Sequence, residues 1–172
     1  MERGYETYKR KGYCMIHNYL SVLEESLSKK VELLKEIEVK SKAQSEAFLS
    51  HQMSLAKLDE IMDEKATLIE QITKLDEGFD SLYQKIKDEL LANKNEYADQ
   101  IKKIQKLIGE VTDLSTSIQT IEARNKQMVE QHFKEEKLSL NRQRTSSKVS
   151  LNYYKSMNNV NNIAPQFMDE KK

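Results

Sequence analysis

The feature that most constrains this chain is a long central stretch with almost no helix-breaking residues. Between Tyr13 and Leu140 there is no proline, and the only glycines are Gly78 and Gly109. Sandwiches, barrels and doubly wound sheets need frequent turns, which glycine and proline usually supply. Charged residues make up 33% of the chain, which is too polar for a large spherical core. We therefore expect an all-α fold built from long amphipathic helices, with no strands.

The first amphipathic segment covers about residues 13–49. Its apolar residues recur at helical spacing through residues 16–37 and form one stripe. The stripe is then interrupted, because Ser41, Gln44 and Ser45 stand where aliphatic residues are expected. We interpret this interruption as a stretch over which the bundle is two-stranded or exposed.

The second segment, about residues 54–92, has the most regular pattern. A chain reversal is predicted before it, at residues 50–52, and Ser54 is its candidate N-cap. Nine consecutive a and d positions of a heptad repeat hold one polar residue, Lys65, as contact between coiled-coil helices requires. We expect Lys65 to reach toward solvent, with its ammonium near acidic residues of its own helix. The predicted apolar seam consists of Leu58, Ile61, Leu68, Ile72, Leu75, Phe79, Leu82 and Ile86.

A third segment begins after the heptad register is lost near residues 91–95. We predict a turn there, with Asn95 as the N-cap of the third helix. Asn125 occupies a seam position of this helix, and the pattern does not decide whether it specifies register.

The predicted architecture is an elongated antiparallel, coiled-coil-like bundle of three helices, with a flexible N-terminal segment and a mobile C-terminal tail that contains a short amphipathic helix. Its predicted boundaries are 1–12 for the N-terminal segment, 13–49, 54–92 and 95–140 for the helices within a 13–140 bundle, and 141–172 for the tail.

Charge and cysteine content restrict the partners and the compartment. Residues 1–13 carry four bases and two acids, and residues 142–172 carry six bases and two acids, so the region between them is acidic. An acidic body predicts no nucleic-acid partner. The single cysteine, Cys14, fits a reducing compartment. No apolar run approaches the roughly 18 residues that span a bilayer, and the N-terminus has no apolar signal-peptide core. We expect a cytoplasmic protein without stable membrane insertion.

The sequence contains no pattern typical of an enzyme. His17, His51 and His132 lie on separate segments, without cysteine or carboxylate at zinc-ligand spacing. Cys14 has no activating neighbour apart from His17, three residues away. There is no glycine-rich phosphate loop, and a thin bundle offers little depth for paired catalytic carboxylates. We predict no enzymatic activity, no catalytic residue, no metal and no cofactor.

Aromatic residues near the C-terminus form the candidate partner-binding site. Val149, Tyr153 and Met157 are spaced to share one face of a short helix, and Tyr154 lies beside them. The predicted core ends before this segment, and aromatics that a core does not need are often partner anchors. The alternative is that the segment docks back on the bundle. The predicted partner-binding residues are Val149, Tyr153, Tyr154 and Met157, with Phe167 and Met168 as a second anchor.

Several stretches of the chain resemble the FlgN-type flagellar export chaperones of bacteria. They are DEKATLIEQITKLDEGFDSLYQKIKDELLANKNEY, IQTIEARNKQ, SSKVSLNYYKSMNN and QFMDEKK, scattered over residues 63–172. The resemblance implies a small cytoplasmic helical protein that binds newly made hook–filament junction proteins. It also implies that the protein prevents their premature assembly and delivers them to a component of the type III export gate. Related small chaperones bind the filament-cap protein instead, which remains an alternative client.

Two functions of other classes stay open at this stage. One is a structural coiled coil that self-associates through the seam at residues 58–86 and acts as a spacer or tether. The other is an adaptor that binds anionic membrane surfaces through its basic tail. The sequence is compatible with a monomer or a homodimer.

Overall fold

The structure is a computed structural model that describes the backbone of residues 2–136 and 151–157, and the side chains of residues 15–134 and 151–157. Its three long helices are α1 (Glu2–Leu49), α2 (Leu55–Ala92) and α3 (Ala98–Glu136). Residues 151–157 form a short fourth helix, α4. The described residues contain no strand, so the prediction of an all-α bundle is confirmed. The apolar pattern predicts that the first helix begins near residue 13, whereas α1 begins at Glu2.

Helix α2 runs antiparallel to α1. Lys30 of α1 contacts Asp76 of α2, with 2.6 Å between Nζ and Oδ1, and Lys40 contacts Glu64, with 2.8 Å between Nζ and Oε2. Residue numbers therefore rise along α1 while the contacting numbers fall along α2. This is the geometry of a helical hairpin joined by a short loop.

Helix α3 runs parallel to α1. Glu24 lies 3.8 Å from Lys103, measured between Oε1 and Nζ. Farther along, the Ser117 hydroxyl donates a hydrogen bond of 2.6 Å to Glu38 Oε1. Helix α1 thus packs against both other long helices, and its most extensive contact is with α3.

The reversal between α1 and α2 lies where the sequence predicts it. His51 adopts a left-handed backbone conformation with φ of 54°. The Gln52 N–H donates to the Ala47 carbonyl and the His51 N–H to the Phe48 carbonyl, the two bonds of a Schellman motif. Ser54 then accepts a hydrogen bond of 3.2 Å from the Lys57 N–H. Its predicted role as the N-cap of α2 is confirmed.

The turn between α2 and α3 is also present, but its predicted cap is wrong. Helix α2 ends at Ala92 and α3 begins at Ala98, so Asn95 lies within the turn, three residues before the helix. Asn93 is the capping residue here, because its backbone N–H and its side-chain amide both donate to the Glu89 carbonyl at the end of α2.

The buried face of α2 is broader than a two-helix seam. Four of the predicted seam residues are only half-buried, although they pack against the core: Ile61, Leu75, Phe79 and Leu82. The buried face is wider because α2 packs on α1 and also reaches α3 and α4, where Lys65 contacts Glu122 and Tyr153. The buried residues of α2 are Leu58, Met62, Lys65, Leu68, Ile69, Ile72, Asp76, Ile86 and Leu90.

Candidate functional site

An open groove of about 720 Å³ runs between α1 and α2. Its apolar wall on α2 consists of Leu75, Phe79 and Leu82, which are half-buried. On α1, Leu23 forms the floor, and Val22 remains 52% exposed. Three half-buried positions of the predicted seam therefore line a surface that solvent reaches.

Small residues keep the middle of this α1/α2 groove open. A Cβ atom added at Gly78 would meet no neighbouring atom within 4 Å. Ser26 and Ser81 also line the groove with short side chains. Because these residues leave space beside the apolar wall, a helix can approach α2 closely here.

The two rims of the α1/α2 groove differ in charge. The α2 rim contributes Lys85 and Lys74, and Lys74 pairs with Glu70 of the same helix, with 2.8 Å between Nζ and Oε1. The α1 rim contributes Glu25, Glu32 and Lys29, and the last two form an exposed ion pair of 2.9 Å within the helix. Both rims of the groove therefore carry charged side chains, and each rim contains one ion pair within its own helix.

A second distinctive region is a polar cluster buried where all four helices meet. One carboxylate oxygen, Glu122 Oε1 of α3, accepts three hydrogen bonds. The Lys65 ammonium of α2 donates at 2.7 Å, the Tyr153 hydroxyl of α4 donates at 3.2 Å, and the Ser41 hydroxyl of α1 donates as well. A single oxygen atom thus links α1, α2, α3 and α4.

Other polar residues of α1 and α3 complete this polar cluster. Lys65 Nζ donates a second hydrogen bond, of 2.6 Å, to Gln44 Oε1. Asn125 Nδ2 donates to the Ser41 carbonyl at 2.8 Å, and Asn125 Oδ1 accepts from the Ser45 hydroxyl at 2.5 Å. The interruptions in the apolar stripes of three helices therefore meet at one level of the bundle.

Two sequence-based interpretations are wrong at this point. Lys65 does not reach toward solvent beside acids of its own helix, because its side chain is fully buried and paired with Glu122. The stretch of α1 around Ser41 and Gln44 is not exposed, since both residues are fully buried against α2 and α3. The sequence left the role of Asn125 open, and the structure places it inside the polar cluster.

Helix α4 docks on the bundle beside this cluster. Tyr153 and Met157 are buried, with 1% and 5% of their surface exposed, and Tyr154 is half-buried. The Lys65 ammonium lies 4.3 Å from the centroid of the Tyr153 ring, within the range of a cation–π interaction. The bundle core therefore uses the aromatic residues that the sequence pattern assigned to a partner.

Burial changes the acid–base properties of this region. Desolvation lowers the pKa of Lys65, and the nearby Glu122 carboxylate opposes that shift. Desolvation raises the pKa of Tyr153 and of Tyr154 well above the ordinary tyrosine value, and the negative charge of Glu122 adds to both shifts. Both phenols therefore stay protonated at neutral pH and keep their ability to donate hydrogen bonds.

A second buried ion pair connects α1 and α2 closer to the groove. Lys30 and Asp76 are both less than one-tenth exposed. Burial raises the pKa of the Asp76 carboxyl, while the ammonium of Lys30 acts in the opposite direction. A buried pair of this kind holds two helices in one register, because separating the partners leaves an uncompensated charge.

The predicted partner-binding residues divide between described and undescribed parts of the chain. Tyr153, Tyr154 and Met157 lie together on α4, whereas residues 149, 167 and 168 lie outside the residues that the structure describes.

Sequence reasoning missed Glu122, which follows a predicted seam position. The available signal was that a polar residue interrupts the apolar stripe of each long helix, at Ser41, Lys65 and Asn125, which is compatible with one shared polar layer.

Neither a metal centre nor a membrane span emerges from the described residues. Within them, no three His, Cys, Asp or Glu side chains are grouped so as to hold a metal ion. No described helix is long and apolar enough to cross a bilayer. The notable features of this part of the molecule are the α1/α2 groove and the polar cluster under α4.

Comparison of the chain with protein-family models, with curated proteins and with solved structures yields no match.

Proposed function

We propose that this protein is a cytoplasmic flagellar export chaperone of the FlgN type, which binds newly made hook–filament junction proteins. It keeps these subunits from assembling early and delivers them to the type III export gate. The observation that supports the proposal is the α1/α2 groove, whose apolar wall and charged rims suit an amphipathic helix. The choice of client rests on the resemblance of residues 63–172 to the family.

The groove matches what such a chaperone has to do. A client helix with an apolar stripe would cover Leu75, Phe79 and Leu82, the same kind of surface that it buries in the assembled filament. Micromolar to nanomolar affinity corresponds to about 8–12 kcal/mol, which a few buried apolar anchors supply. Because export also requires release, an open groove suits the task better than an enclosed cavity.

The C-terminal segment is the proposed second contact, with the client or with the export gate. Tyr153 and Met157 are docked on the bundle, so contact through them exchanges intramolecular packing for packing against the partner. That exchange lowers the net affinity and favours fast release. Leu151, which is 54% exposed on α4, is available to a partner without any rearrangement.

A pair of valines on α1 provides a matched test of the groove. Val22 lines the groove and is 52% exposed, whereas Val39 is 65% exposed and does not line it. We expect Val22→Asp to weaken binding of a purified junction protein about tenfold or more, or about 1.4 kcal/mol, and Val39→Asp to leave it unchanged. Isothermal titration calorimetry measures both. Equal affinities for the two variants, or no binding by the unaltered chain, would contradict the proposal.

Self-association through the α2 seam is less well supported. Leu58, Ile72 and Ile86 of that seam are buried within a single chain, so a second copy cannot pack on them without opening the bundle. Light scattering over a range of protein concentrations distinguishes the two functions, since a spacer would form a stable oligomer without any client.

A further inference from the structure

Tyr153 contacts the bundle through both parts of its side chain, the aromatic ring and the hydroxyl. Its ring lies below the Lys65 ammonium, 4.3 Å away at the centroid, and its hydroxyl lies 3.2 Å from Glu122 Oε1. The ring face attracts the cation, and the hydroxyl donates its proton to the acceptor. The bundle presents the cation and the acceptor together. A phenylalanine at this position would contact the cation but, without a hydroxyl, would leave the acceptor unused.

The groups that contact the phenol belong to the three long helices and are rigidly held. Lys65 is 0% exposed and Glu122 is 4% exposed. Ser41 and Gln44, which bind the same carboxylate and the same ammonium, are fully buried as well. A set of paired and buried polar groups of this kind is a built site, because each member is oriented by at least one other member.

The element that carries the phenol is small by comparison. Seven residues of α4 are described, 151–157, and a segment of seven residues does not form a stable helix by itself in water. Its buried residues, Tyr153 and Met157, are four positions apart and therefore share one face. The packing of α4 on the bundle thus centres on a tyrosine and an apolar residue four positions later, with the half-buried Tyr154 beside them.

We propose that Lys65, Glu122, Ser41 and Gln44 form a tyrosine-recognition site, which Tyr153 occupies in the free chain. A partner helix that carries a tyrosine and, four positions later, an apolar residue binds the same site in exchange for α4. The site lies beyond the α1/α2 groove, since Ser41 is nine residues along α1 from Glu32, the last groove residue of that helix. It does not depend on the proposed flagellar client.

Small aromatic probes test the chemistry of the site in the full-length chain. Tyr153→Ala removes the ring, and we expect p-cresol at millimolar concentration to raise the melting temperature of this variant by several degrees. Toluene lacks the hydroxyl, so its apparent Kd should be about fivefold higher than that of p-cresol. This ratio corresponds to the loss of one hydrogen bond of about 1 kcal/mol. The matched control, Leu151→Ala, alters an exposed residue of the same helix, and neither probe should shift its melting temperature.

A peptide arm tests recognition of a partner helix. The peptide copies residues 149–158, and its variant carries phenylalanine at the position of Tyr153. We expect the tyrosine peptide to bind the Tyr153→Ala chain about fivefold more tightly than the phenylalanine peptide, measured by fluorescence anisotropy. If Tyr153→Ala unfolds the chain, refolding by p-cresol but not by toluene supports the site. Equal effects of p-cresol and toluene, equal affinities of the two peptides, or failure of p-cresol to act at saturation would overturn the proposal.

Discussion

The ammonium of Lys65 lies over the ring of Tyr153, 4.3 Å from its centroid, and both side chains donate a hydrogen bond to the same oxygen of Glu122. This relationship joins α2, α3 and α4 through one carboxylate. The Lys65 ammonium compensates for the charge of the buried carboxylate, and two hydroxyl groups donate further hydrogen bonds to its Oε1. The packing of α4 and the charge state of the bundle interior therefore depend on each other.

Removing one member of the Lys65–Glu122 pair should be strongly destabilising. In Lys65→Met the Glu122 carboxylate stays buried without its cation, and we expect the free energy of unfolding to fall by about 3–5 kcal/mol. The double variant Lys65→Met/Glu122→Gln should recover part of this loss, because no charge is left unpaired. Urea denaturation followed by circular dichroism measures both. A single variant as stable as the parent would mean that Lys65 is solvated in solution.

Two neighbouring seam residues should separate stability from binding. Ile72 is fully buried, so Ile72→Ala should lower the free energy of unfolding by about 2–5 kcal/mol. Leu75 is half-buried and lines the groove, so Leu75→Ala should cost less stability but weaken binding of the junction protein. Thermal melts and calorimetry on the same samples test this. The opposite order of stabilities would place α2 in a different rotation about its axis.

Alkaline pH should loosen the bundle through Tyr153 and Tyr154. Burial raises the pKa of both phenols above the ordinary value of 10.0. Above pH 10 the unfolded chain therefore loses these protons while the folded chain retains them, and stability falls as pH rises. Lys65, whose pKa burial lowers, acts in the opposite direction, but only up to its ordinary pKa of 10.5. Above pH 10.5 we expect the free energy of unfolding of the unaltered chain to fall more steeply with pH than that of the Tyr153→Phe/Tyr154→Phe variant. Equal slopes in urea titrations would show that both phenols are solvated.

The cap at the start of α2 should contribute a small, local stabilisation. Ser54 accepts a hydrogen bond from the Lys57 N–H, so Ser54→Ala should lower the free energy of unfolding by about 0.5–2 kcal/mol. Ser28 is an exposed serine of α1 whose hydroxyl donates a hydrogen bond to the Glu24 carbonyl of the same helix. Ser28→Ala is therefore the matched control, and we expect it to melt like the parent. A loss of the same size in both variants would indicate an effect of serine removal in general.

The helices and their first turn were predictable because they depend on nearby residues. Helical spacing of apolar residues, the absence of proline, and a serine before an apolar segment act within a few positions of each other. The reversal at residues 50–52 and the Ser54 cap follow from such signals. The cap predicted at Asn95 was wrong because α3 begins only at Ala98, three residues later, and the nearby Asn93 caps the end of α2.

The sequence by itself determined that this chain forms long helices and where the first hairpin turns, since those outcomes follow from local periodicity and capping. Only the tertiary structure decided what becomes of Lys65, because its environment depends on which residues of α1, α3 and α4 lie at the same level. Ser41 and Gln44 weaken the apolar stripe of α1 when that helix is considered alone. In the bundle they are the partners of a buried charge, since burying an ammonium is favourable only where an anion and further hydrogen bonds converge on it.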